Sequence, residues 1–104
     1  MGKHIGLFNA MASVNKINSL LKDFENQVTI SQDLVERNAP AWQLNNSLNV
    51  LKSIHQQLID NFSNSSTARV AMFKIFGDKM QMDGILTYTK NVCLHLNSII
   101  QNQR

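Results

Sequence analysis

A single cysteine, Cys93, in a chain of 104 residues excludes an intrachain disulfide and any metal centre built from several thiolates of one subunit. Glycine is also scarce. The four glycines, at positions 2, 6, 77 and 84, are too scattered to form a loop that cradles phosphate. Charged residues make up only 16% of the chain and never gather into a block of one sign. That argues against a nucleic-acid-binding tail or a polybasic membrane patch. No uninterrupted apolar run approaches the roughly twenty residues that cross a bilayer, and the run within Met1–Phe8 is too short for a signal peptide. These absences lead us to expect a cytoplasmic protein.

What is present is apolar and amide-rich. Hydrophobic residues account for 43% of the chain, and Asn, Gln and Ser occupy the positions that charge has vacated, a balance that excludes intrinsic disorder. The length suits one domain, residues 1–104, burying roughly two-thirds of the unfolded surface. The net charge of +3 is unevenly spread: Lys3, Lys16 and Lys22 precede an acidic stretch of Asp23, Glu25, Asp33 and Glu36.

Leu7, Val14, Leu21, Val28 and Val35 recur every seventh residue, with Ala10, Ile17, Phe24 and Ser31 between them. This spacing predicts one long helix, from about Lys3 or Gly6 to about Arg37, built to pack against other helices. Asn38-Ala39-Pro40 ends it, because proline cannot continue a helix yet suits the first turn of the next. Trp42, Leu44, Leu48, Leu51, Ile54, Leu58, Ile59 and Phe62 trace a second helical face over about Ala41 to Phe62. The serine-rich stretch Ser63–Thr67 reads as a loop. A third rhythm then runs through Ala68, Met72, Ile75, Lys79, Met82, Leu86, Thr89, Cys93, Leu96 and Ile100. Gly77-Asp78 and Asp83-Gly84 weaken a helix there, so a break is expected between Gly77 and Gly84, with a last helix over about Asp83 to Asn102. The fold class is all-α, an antiparallel helical bundle of three or four helices, with Leu21 and Leu51 among its buried members.

Residues able to do chemistry are present without the spacing that chemistry needs. His4, His55 and His95 have no ligand partner three or four residues away. Cys93 and His95, two apart, fall on nearly opposite sides of a helix and make a poor nucleophile and base. The carboxylates form neither a Glu-x-x-His pair nor a calcium loop. No catalytic, cofactor-binding or metal residue is therefore assigned, and the chain is read as non-enzymatic. His55, beside Leu51, Ile54 and Leu58, is expected at the edge of the core, where burial would oppose its protonation.

Val70–Phe76 carries apolar side chains around more of its circumference than one face requires. Met72, Phe73, Phe76 and Met80 form a soft, adaptable surface suited to helix recognition or self-association. These four residues are the expected partner interface, with a homo-oligomer or another helical protein as partner. The alternative is a DNA-associated regulator in which Thr67–Leu96 forms a unit like a helix-turn-helix. Gly84 would then open the recognition helix, and Thr87, Lys90 and Asn91 would face DNA.

Overall fold

The computed structural model of the chain describes the backbone of residues 2–64 and 79–103 and the side chains of residues 15–62 and 83–103. The described residues are almost wholly helical, without a strand: α1 spans Gly2–Glu36, α2 spans Ala41–Asn64 and α3 spans Lys79–Asn102. Leu7, Ala10 and Val14 of the seam lie where only the backbone is described.

The stop between α1 and α2 is built from backbone hydrogen bonds. The Ala39 amide donates to the Leu34 carbonyl at 2.9 Å and the Asn38 amide to that of Val35 at 3.1 Å, the paired bonds of a Schellman cap. That cap needs one residue in the left-handed region. Asn38 supplies it at φ 55°, as asparagine can at less cost than branched side chains. The Pro40 carbonyl then accepts from the Gln43 and Leu44 amides, so the proline starts α2 without having to donate a bond itself.

α2 is the central element, packing along both α1 and α3, whereas α1 and α3 touch only slightly. Its buried row is Leu44, Ser47, Leu48, Leu51, Ile54, Leu58 and Phe62, the spacing of three and four that keeps one helix face inward. From α1 come Ile17, Leu20 and Phe24, and from α3 Cys93, Leu96 and Ile100. The seventh-residue members Leu21, Val28 and Val35 are only partly buried, because the inward direction of α1 runs through Ile17, Phe24 and Ser31. Trp42 departs from the expected face and is 63% exposed. Two residues from the buried Leu44, it points about 200° around the helix, toward solvent.

No break occurs at Asp83-Gly84. α3 is one helix from Lys79, starting earlier than expected, while Gly77-Asp78 lies outside the described residues. A helical glycine costs about 1 kcal/mol relative to alanine, and burying a single large apolar side chain returns about 1.5–3 kcal/mol. The packing of Cys93, Leu96 and Ile100 therefore outweighs the glycine.

Three interhelical polar contacts, two between α1 and α2 and one between α2 and α3, tie the helices together. The Gln27 side-chain amide donates to Ser47 Oγ at 2.6 Å, and Ser31 Oγ donates to the Gln27 carbonyl at 2.9 Å. With the Ser31 proton so engaged, the 2.6 Å contact between the two serines runs from Ser47 to Ser31. Each of the two serine protons in this small circuit has an acceptor, which is the condition for burying hydroxyls without a net penalty. Between α2 and α3, Thr89 Oγ1 donates to the Leu86 carbonyl at 3.2 Å. It therefore accepts from His55 Nδ1, 2.6 Å away, and the proton of the neutral imidazole sits on Nδ1. Among the described residues no buried side-chain nitrogen or oxygen lacks a partner.

Candidate docking groove

Because α2 holds α1 and α3 apart, a cleft of about 620 Å³ opens between them. One wall is Val28, Ser31, Gln32, Val35 and Glu36 of α1, and the other is Tyr88, Asn91, Val92, His95, Leu96 and Ile99 of α3. Both walls step by three and four residues, so each presents one helix face along its length. Leu51 of α2 forms the floor. The α1 wall, from Val28 to Glu36, is about 12 Å long at the helical rise of 1.5 Å per residue, or roughly two turns.

The chemistry is an apolar trough with polar edges. Val28, Val35, Val92, Leu96 and Ile99 supply the trough, and the exposed Gln32, Asn91 and His95 stand along its lips. Glu36 lies at one end. At the other, Tyr88 meets Phe24 edge to face, with ring centroids 6.0 Å apart. Hydrogen bonding toward the Glu25 carboxylate raises the Tyr88 hydroxyl above its usual pKa, and burial adds to the effect. Carboxylates therefore stand near both ends. Two further furrows lie between α1 and α2, one lined by Asp23, Asn26, Asn49, Val50, Ser53, Ile54 and Gln57 and a smaller one that includes Ile30, Leu34, Gln43 and Val50.

Nothing in the groove is arranged for bond making. Cys93 is buried, and that burial pushes its thiol above the ordinary value despite the lowering influence of Lys52, so it is a poor nucleophile. His95, two residues on, is exposed; the two do not meet as a catalytic pair. His55 is half-buried at the α2–α3 contact. Burial first, and then the Lys90 charge, hold its pKa below 6.5. Among the described residues no three His, Cys, Asp or Glu side chains stand close enough to share a metal ion, and no helix is long and apolar enough to cross a membrane.

Of the expected interface, Met72, Phe73 and Phe76 lie outside the described residues, and Met80 is described only as a backbone position in α3. Thr87, Lys90 and Asn91 are exposed, but α3 runs unbroken through Gly84, so the turn that would open a recognition helix there is absent. The groove residues escaped sequence reading because its walls lie about sixty positions apart; their only common signal is the matched spacing, which any two amphipathic helices share. Ser47 could have been noticed as a polar residue standing in the apolar row of Leu44 and Leu51. No family model, curated protein or solved structure matches this chain.

Proposed function

We propose that this protein is a non-enzymatic helical interaction module, an antiparallel bundle that self-associates through the surface bearing Met72, Phe73, Phe76 and Met80. The observation that carries the reading is the open groove. An apolar trough walled by two helices and edged with amides has the make-up of a surface that receives another helix, apolar at its centre and polar at its rim. The short Schellman-capped connector supports the antiparallel α1–α2 pairing, since connections this short join neighbouring antiparallel helices.

Sedimentation velocity tests it. Wild-type protein at tens of micromolar is expected to sediment faster than a monomer, and the Phe73→Glu, Phe76→Glu double variant as a folded monomer. A wild-type protein that remains monomeric at that concentration overturns the reading.

A further inference from the structure

We infer that the α1–α3 groove is the receptor for a basic amphipathic helix of another protein, one that carries a row of apolar anchors between two cations. This rests on reading the groove as a helix receptor and adds the chemistry of the helix it receives.

The form of the occupant follows from the walls. Val28, Val35, Val92 and Ile99 line a trough floored by Leu51, and each wall steps by three and four residues. The gaps between such side chains accept helical anchors spaced i, i+3 or i+4, and i+7. A helix also satisfies its own backbone hydrogen bonds. An extended peptide needs a sheet edge to bond with, and the described residues contain no strand. A polyproline segment docks between aromatic rings, of which the groove lining has only Tyr88.

The charge of the occupant follows from α1. Glu25, Gln32 and Glu36 stand at i, i+7 and i+11, one stripe of the helix, and all three are exposed. Gln32 and Glu36 line the groove, and Glu25 reaches its other end through Tyr88, whose hydroxyl bonds toward the carboxylate. One lip is therefore acidic near both ends, at positions about 16 Å apart. The cations close by are turned elsewhere. Arg37 is held by Asp33 at 2.6 Å, and Lys90, two residues from both Tyr88 and Val92, lies on the far side of α3. Among the described residues neither Glu25 nor Glu36 forms an ion pair. The lip thus favours cations near the two ends of an occupant and disfavours carboxylates there.

That charge pattern points away from a second copy. From Asp23 to Glu36, α1 carries four carboxylates and no cation, and its Lys16 and Lys22 fall about 120° apart around the helix. Among the described side chains α2 and α3 carry one lysine each, Lys52 and Lys90.

Two synthetic peptides of about twelve residues test the inference against the full chain, each stapled because so short a helix is marginal alone. Both carry leucines at i, i+3 and i+7; one has lysine at each end and the other glutamate. In calorimetric titration at low salt the lysine peptide is expected to bind at least about tenfold more tightly, a ratio that narrows as salt is added. It is expected to shift the methyl NMR signals of Val28, Val35 and Val92. Glu25→Gln with Glu36→Gln, at two exposed positions, is expected to weaken the lysine peptide at least about threefold, with folding checked by circular dichroism. Glu36→Gln alone, which leaves the Tyr88 contact in place, serves if the double variant is not folded.

Equal binding of the two peptides overturns the inference, as does binding by neither or binding that leaves the three valines unmoved. Valine shifts that follow protein concentration with no peptide present assign the groove to a second copy and also overturn it. A wild-type protein that sediments as a monomer and binds the lysine peptide supports the inference while removing self-association. An oligomer that binds neither peptide overturns the inference and leaves self-association standing.

Discussion

His55 shows how much one side chain's surroundings decide. Its Nδ1 proton is given to Thr89 Oγ1, and the imidazolium would keep that bond, so the hydrogen bond does not select the neutral form. Burial does, with the nearby Lys90 charge adding to it. The folded-state pKa is thus below 6.5, and the unfolded chain binds the proton more readily. Stability from this group is fully present above pH 6.5 and is lost as pH falls through 6.5 to the folded value, levelling off below both. Urea unfolding between pH 7.5 and 5 is expected to show stability falling on acidification, with a shallower slope in His55→Asn. Equal slopes in the two proteins would show that His55 titrates alike folded and unfolded.

At the scale of the element, α3 shows packing overruling local propensity. Gly84 weakens it, yet the helix continues because Cys93, Leu96 and Ile100 are held against α2. A Cβ placed on Gly84 would meet nothing within 4 Å. Gly84→Ala is therefore expected to stabilise the fold by about 0.5–1 kcal/mol, read as a higher urea midpoint with an unchanged slope; a lower midpoint would contradict it. The α1–α2 connector was the more legible junction, because Asn38-Ala39-Pro40 supplies in adjacent positions a residue tolerant of positive φ and one that cannot extend a helix.

For the molecule as a whole, the dominant fact is that, among the described helices, α2 packs extensively on both α1 and α3 while those two barely touch. The molecule measures 57 × 20 × 18 Å, a rod whose long axis is set by α1, about 52 Å at 1.5 Å per residue. Leu51, fully buried, belongs to the core and floors the groove as well. Truncating it should therefore loosen the whole assembly: Leu51→Ala is expected to cost about 2–5 kcal/mol. Leu21, read from the heptad as an equal, is only partly buried, and Leu21→Ala should cost less in the same thermal or urea unfolding measurement. Equal losses would place Leu21 as deep in the core as Leu51.

The sequence by itself determined the class of structure and the inner faces of α2 and α3, because apolar residues spaced by three and four can leave water together only on one side of a helix. It also marked the end of α1, where backbone chemistry is local. It could not determine which members of the α1 seam go deepest. A seven-residue repeat admits several inward directions, and the choice fell on Ile17, Phe24 and Ser31 when α1 met α2. Nor could it foresee that Ser31, Gln27 and Ser47 would close a hydrogen-bond circuit, or that Glu36 and His95 would come to border one trough. Those are relations between helices distant in the chain. They exist only because α2 holds α1 and α3 apart, and that separation leaves a trough between the two helices among the described residues.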